Sequence, residues 1–214
     1  MVAFLAEPIQ GEGGVNPLTP QYLQTAQQLC RELDWLLMLD EVQTGNGRTG
    51  TYFAYQGLDI TPDVVTTAKG LGNGVPIGAC LARGAAAGVL GAGHHGSTYG
   101  GNPLVCAAGL AVVNTIAQQG LCERARDMGL LIRDTLLSDP QVAPLIAEIR
   151  GSGLMLGIEL RRDCGQLVAT ALENGLLINV TAGNTIRLLP PLIISAPEAL
   201  ELTQGVARLI RDFG

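Results

Sequence analysis

Apolar positions along this chain recur with two periods in turn, one close to helical and one close to a strand. Val2 to Ala6 is a short apolar run and reads as a buried strand. Glu7-Pro8 and the segment from Gly11 to Pro17 read as a loop. Thr19-Pro20 then opens a helix, with Thr19 as N-cap and Pro20 in the first turn. That helix is expected to run to about Asp34, with Leu23, Ala26, Leu29 and Cys30 forming its apolar stripe. Trp35 to Leu39 is the next strand. A strand, a helix and a strand in this order predict a parallel pair. Pro62 to Thr67 and Ile77 to Ala82 read as third and fourth strands. Asn102-Pro103 starts a helix to about Gln118, and a second helix covers about Glu123 to Leu137. Ile149 to Leu160 reads as a strand pair or one bent strand. Leu176 to Val180 and Thr185 to Leu189 flank a turn at Ala182-Gly183-Asn184, and Pro197 to Phe213 closes the chain as a helix. The expected class is α/β: a parallel-rich sheet over residues 1–115, then a small α+β unit over 116–214.

Composition narrows the partners. The 214 residues carry a formal net charge of −6 with no basic block, which speaks against nucleic acid and anionic membranes. No apolar run approaches the length of a membrane span, and the N-terminal residues lack the features of a signal peptide. The five cysteines (Cys30, Cys80, Cys106, Cys122 and Cys164) form no CxxC pair, so buried free thiols in a reducing cytoplasm are expected. His94 and His95 are adjacent and cannot face one metal from a regular helix, so no metal site is expected. Hydrophobic residues make up 47% of the chain. Such a chain either buries densely or presents apolar surface to another subunit or to a segment not in this sequence.

The densest chemistry lies in Leu39-Asp40-Glu41-Val42-Gln43-Thr44-Gly45-Asn46-Gly47-Arg48-Thr49-Gly50 and, further on, Thr67-Ala68-Lys69-Gly70. Asp40 ends an expected parallel strand, and the carboxyl ends of such strands are where α/β sheets bind ligands. Taken alone it merely starts a loop. Lys69 follows another strand and stands among small residues that leave room for a bulky ring. A lysine amine is normally protonated and a poor nucleophile, and burial beside a cofactor would free it to attack an aldehyde. The alternative is a surface lysine in a glycine loop. No GxxxxGK[ST] phosphate loop is present. Together, an aldehyde-capturing lysine and an acid able to keep a pyridine nitrogen protonated suit pyridoxal phosphate (PLP). Gln43 can hydrogen-bond the phenolic oxygen of that cofactor, or be an ordinary loop glutamine. Ser97 and Thr98, in the Gly-rich stretch before Asn102-Pro103, make a possible anion site that is weak as an isolated motif. Arg187 is a cation inside an apolar strand and needs a partner: a substrate carboxylate or a salt bridge at the strand edge. Glu12, in Gly11-Glu12-Gly13-Gly14, is a carboxylate in a permissive loop.

These pieces stand together and in order. Glu7-Pro8-Ile9-Gln10-Gly11-Glu12-Gly13-Gly14, Asp40 to Gly45, Gly47-Arg48-Thr49-Gly50, Ala68-Lys69, Pro76-Ile77-Gly78-Ala79 and Gly96 to Pro103 resemble the class III, fold-type I PLP-dependent aminotransferases. Within the class the likeness is greatest to the acetylornithine branch, beside ornithine, succinylornithine and 4-aminobutyrate aminotransferases. The resemblance implies that residues 1–115 are part of the PLP-binding large domain and 116–214 the small C-terminal domain. It implies that Lys69 holds the cofactor and moves a proton at the substrate carbon, that Asp40 pairs with the ring nitrogen, and that Gln43 contacts the phenolic oxygen. It implies that Ser97 and Thr98 reach the cofactor phosphate of a neighbouring subunit in a homodimer. Arg187 would bind a substrate carboxylate, and Glu12 would cover it when the donor presents only a terminal amine. The implied reaction moves the terminal amine of N-acetylornithine, or a similar ω-amine donor, to 2-oxoglutarate in cytoplasmic arginine biosynthesis. A same-class aminomutase or racemase would keep Lys69 and Asp40, but needs no diacid, and Arg187 with Glu12 speaks against it. Members of the class are roughly twice this long, so the chain is expected to be the C-terminal half, with Met1 at an artificial or alternative start. A phosphate loop, a ring-stacking aromatic and a second arginine are expected in the other half. The isolated 214 residues are therefore expected to lack turnover, and a non-catalytic remnant is the alternative reading.

Overall fold

A computed structural model describes residues 2–214, and Met1, on which the expectation about the start of the chain falls, lies outside them. The chain folds as two compact units. The first comprises residues up to Pro8, Leu18–Gly47 and Thr51–Gly120. The second comprises Ile9–Pro17, Arg48–Gly50 and Leu121–Gly214.

In the first unit, β1 (Ala3–Ala6) leads past the second unit's segment to α1 (Pro20–Glu32), then β4 (Leu36–Asp40), β5 (Val64–Thr67) and β6 (Ala79–Ala82). The numbers β2 and β3 belong to short strands of the second unit, Ile9–Gln10 and Asn16–Pro17. The sheet order is β1-β4-β5-β6. β1 and β4 run parallel, as the strand-helix-strand order predicts; β5 is parallel to β4 as well, whereas β6 returns antiparallel to β5. Thr19 caps α1 by accepting the Tyr22 N–H, and Pro20 occupies the first turn, where its missing N–H loses nothing. α1 packs Leu23 and Cys30 against Leu37 and Leu39 of β4, and these side chains are essentially out of water. Each fully buried leucine contributes about 1.5–3 kcal/mol. The inward positions of β4 alternate, as one covered face requires.

Two expectations need correction. The first strand is not buried: it is the edge of the sheet, with Val2 80% and Leu5 62% exposed. An apolar run cannot tell an edge strand from a central one, because only the number of neighbours distinguishes them. Nor are the thiols uniformly buried. All five are free, but only Cys30 and Cys164 are buried, while Cys80 and Cys106 are exposed on β6 and on α2 (Pro103–Gln118). α2 is apolar nearly all round, so its sequence could not say which side the core covers. No single helix among the described residues is long and apolar enough to cross a membrane.

The second unit is an antiparallel sheet of β7 (Ile146–Ser152), β8 (Met155–Leu160), β10 (Thr185–Leu188) and β9 (Asn179–Thr181), in that order. α3 (Leu121–Ser138) and α5 (Ala196–Phe213) supply the core with Ile132, Leu136, Val206 and Ile210, which meet Leu156, Ile158 and Ile186 of the sheet. Ser195 and Glu198 cap α5 reciprocally: the serine hydroxyl accepts the Glu198 N–H, and the glutamate accepts the Ser195 N–H at 2.8 Å. α4 (Leu167–Glu173), a seven-residue helix, has no counterpart in the sequence reading, since two turns are too short to show a period. The strand expected from Leu176 is shorter, beginning only at Asn179. β2 and β3 pair as a two-residue-deep hairpin, which a loop-rich composition conceals.

Candidate active site

In the first unit the chemistry collects at the C-terminal ends of β4 and β5. These strands are hydrogen-bonded neighbours with Asp40 opposite Thr66, and Lys69 emerges just past the end of β5. Asp40 Oδ1 accepts the Val42 N–H at 2.9 Å and so starts the turn after β4. Among the described residues Oδ2 makes no hydrogen bond, and neither does the exposed Lys69 ammonium. Lys69 has φ 44°, a left-handed conformation that costs a residue with a Cβ about 1–2 kcal/mol. It opens a single 3₁₀ turn, Lys69–Leu71, closed by Leu71 N–H to Ala68 O at 2.9 Å. An amine and a carboxylate, both with unused bonding capacity, thus stand on neighbouring strand ends, and in chemistry they suit an aldehyde and a pyridine nitrogen. Gln43 lies in the turn after Asp40. Ser97 and Thr98 are in an exposed stretch before α2, where Ser97 Oγ accepts the Gly100 N–H at 2.9 Å. Among the described residues no hydrogen bond ties either of them to Asp40 or Lys69.

The sequence reading passed over Glu41, which is completely buried. Its carboxylate accepts the Thr44 hydroxyl at 2.6 Å, the Ala54 N–H at 2.8 Å and the Tyr55 N–H at 2.9 Å. Both oxygens therefore accept, and the loop from 41 to 55 is gathered around one anion. Burial pushes its carboxyl above the usual carboxylate range, against the opposing pull of these three donors. A raised acid value means that the folded chain still holds the proton where the unfolded chain has released it. Stability then falls as pH rises from the ordinary carboxylate range through the folded value. Glu41→Gln turns an amide NH₂ toward one of these N–H donors, and is expected to lower stability by about 1–3 kcal/mol at neutral pH. It should also flatten that pH dependence. Urea unfolding of both proteins across mildly acidic to neutral pH measures both effects. An unchanged midpoint would remove Glu41 as the organiser of the loop.

In the second unit, Arg187 projects from β10 opposite Gly157 of β8 and Asn179 of β9. Its side chain is only 10% exposed. Nη1 donates to Glu12 Oε1 at 2.8 Å and to Gly11 O at 2.9 Å. Glu12 itself is 73% exposed, so the pair joins a buried cation to a solvent-facing carboxylate. Arg187 Nε is buried with no hydrogen-bond partner. A buried guanidinium with an unmet N–H keeps a donor for a further acceptor. The loop bearing Glu12 is fixed from below. Arg150 Nε donates to Gly14 O at 2.9 Å, and the Thr181 hydroxyl donates to Glu12 O. Val15 is fully buried with φ 55°, an outlier for a β-branched residue that its packing on Gly157 and Met155 sustains.

Arg48 shows why the Gly47-Arg48-Thr49-Gly50 segment reads as a motif. Its guanidinium is largely buried and donates to Leu154 O and Pro190 O, and burial pushes its pKa down to about 10, so it stays charged at neutral pH. Beneath it, Leu154 N–H donates to Arg48 O at 2.9 Å and Ser152 Oγ to Thr49 O at 2.9 Å. A cavity of about 310 Å³ between α4 and the chain leading to β9 is lined by Val168, Leu172, Leu176 and Leu177, and holds none of the candidate side chains.

The aminotransferase class-III family model matches residues 1–210. Acetylornithine aminotransferase 1 of Bordetella pertussis is 54% identical over 213 residues, covering all of this chain and 54% of that protein. Acetylornithine aminotransferase of Nitrosomonas europaea is 47% identical, with the same coverage of both. Among solved structures, an ornithine aminotransferase from Toxoplasma gondii superposes with a TM-score of 0.91 at 40% identity, covering 98% of this chain and 51% of that one. That enzyme was solved with partial occupancy of PLP at its active site. An acetylornithine aminotransferase from Elizabethkingia anophelis gives a TM-score of 0.89 at 38% identity, covering 99% and 54%. The chain spans about half the length of the relatives it matches.

Proposed function

Because the chain belongs to the class-III aminotransferases, we propose that it serves to move the terminal amine of N-acetylornithine, or a similar ω-amine donor, to 2-oxoglutarate. The PLP-dependent fold is common to the family and the solved structures, and the choice of donor and acceptor is the added step. That choice rests on one observation: a buried Arg187 with one nitrogen on the exposed Glu12 and another unmet. The diacids glutamate and 2-oxoglutarate need such a cation. A donor presenting a bare amine does not, and Glu12 then neutralises it, since an unpaired buried guanidinium is expensive.

Bound PLP supplies an aldehyde to capture the amine and a ring that withdraws electrons from the substrate carbon. In this reading Lys69 holds the cofactor and carries the proton at that carbon, and Asp40 presents its carboxylate to the ring nitrogen. The Gln43 amide donates to the phenolic oxygen. Ser97 and Thr98, exposed on their segment, offer hydroxyls to the phosphate held by a second subunit of a homodimer. The first unit is then the PLP-binding part, the second the small domain, and the whole corresponds to the C-terminal half of the longer relatives in the cytoplasm.

A single-turnover half-reaction with glutamate, read as 2-oxoglutarate released, tests the assignment. Arg187→Ala is expected to lower kcat/KM for glutamate about a hundredfold, the scale of a lost charge-assisted bidentate contact. Glu12→Gln should affect the ω-amine donor more than glutamate. Equal loss for both substrates in both variants would defeat the assignment.

A further inference from the structure

Asn46 takes part in none of the roles above, yet it is 4% exposed and every polar atom of its side chain is engaged. Nδ2 donates to Thr67 Oγ1 at 3.0 Å and to Ala68 O at 3.1 Å, and Oδ1 accepts the Tyr52 hydroxyl at 3.2 Å. The orientation of the amide is fixed by chemistry, because a backbone carbonyl accepts only and the atom facing Ala68 O must be the nitrogen. Asn46 has φ 57°, a conformation that asparagine tolerates, and Gly47 completes the turn. On the other side, Ala68 O also accepts the Leu71 N–H that closes the turn begun by Lys69. A Cβ on Gly70 would come within 3.3 Å of Asn46 Cβ, so this turn lies flush on the asparagine.

We propose that Asn46 is a positioning residue for Lys69: its amide clamps Thr67 and Ala68 so that the strained backbone at Lys69 presents its amine in one direction. The inference rests on the reading that Lys69 captures the PLP aldehyde. The loop that begins at Asp40 and the turn that bears Lys69 are joined by these two hydrogen bonds, so the acid and the amine are held in register by a third side chain. Without the clamp, Lys69 is free to leave its left-handed conformation and the amine to wander.

The test uses Asn46→Asp in the full 214-residue chain. Aspartate has the same shape and also tolerates positive φ, but it places an acceptor against Ala68 O. PLP is added, borohydride fixes whatever is covalently attached, and mass spectrometry follows the label at Lys69 with time. Wild type is expected to label Lys69. Asn46→Asp should label it about tenfold more slowly and shift the pH midpoint of the cofactor's absorbance, with its far-UV spectrum retained. Tyr52→Phe, which frees the far end of the amide, should give a smaller slowing, and serves if Asn46→Asp does not fold. Thr51→Ala, which removes the hydroxyl donated to Phe53 O in the same loop, is the structural control and should label as wild type does. Wild-type rates in both Asn46→Asp and Tyr52→Phe would overturn the positioning role alone. Absence of label at Lys69 in wild type would instead overturn the cofactor reading, and this inference with it.

Discussion

Lys69→Ala is expected to leave the fold intact and to remove covalent cofactor capture altogether. The side chain is exposed and makes no hydrogen bond among the described residues. Alanine at φ 44° is no more strained than lysine. Melting temperature and far-UV spectrum should therefore stay close to wild type. The chemistry behaves differently, since the ε-amine is both the nucleophile for the aldehyde and the carrier of the substrate proton in the proposed reaction. Its loss should slow the half-reaction with glutamate by at least about a thousandfold. The visible absorbance of the covalently held cofactor should vanish. Added small primary amines should return part of the rate, because they restore a base of similar strength to the gap. A variant that keeps the absorbance and the borohydride-fixed label would show that another amine does the work.

Gly153→Ala is expected to destabilise the second unit by about 4 kcal/mol or more, a large share of the 5–15 kcal/mol that holds an ordinary domain together. Gly153 forms the turn between β7 and β8 with φ 54°. A Cβ there would lie 2.6 Å from Arg48 O, 2.7 Å from Thr49 C and 2.9 Å from Gly50 N. All three are backbone atoms, so no side chain can swing aside. Gly129 of α3 closes the same spot, since its own Cβ would run into Gly153 O. Hairpin, helix and the Arg48–Gly50 segment therefore meet with no room for a methyl group. Equilibrium urea unfolding measures the loss. Gly57→Ala is the matched control, because no atom lies within 4 Å of its Cβ position and its φ is not positive, and it should change stability by no more than about 0.5 kcal/mol. Similar midpoints for the two variants would mean that the backbones do not approach as closely as the structure has them.

The local features were legible because local rules produce them. Thr19-Pro20 and Asn102-Pro103 mark helix starts, since caps act within three residues of the chain. Asp40 and Lys69 could be found because each stands at the end of an apolar strand, and the parallel pairing of β1 with β4 follows from the helix between them. Arg187 could be singled out as a cation among apolar neighbours, and its ion pair with Glu12 spans 175 positions. Asn46 drew no reading from the sequence, because its three partners are known only once β5 and the loop after Asp40 are brought together.

By itself the sequence determined the α/β class, the capped starts of α1 and α2 and the candidate residues for chemistry, because short-range periodicity and side-chain type carry that information. Only the tertiary structure decided that Glu41 is buried while Lys69 is exposed, that β1 is an edge, and that β6 returns antiparallel. It alone decided that Ile9–Pro17 and Arg48–Gly50 fold with the second unit, where Arg187 has one nitrogen on Glu12 and another unmet. The physical reason is the same in each case: burial, pairing and unmet hydrogen bonds depend on atoms many positions away, and residue order does not reveal which of them meet.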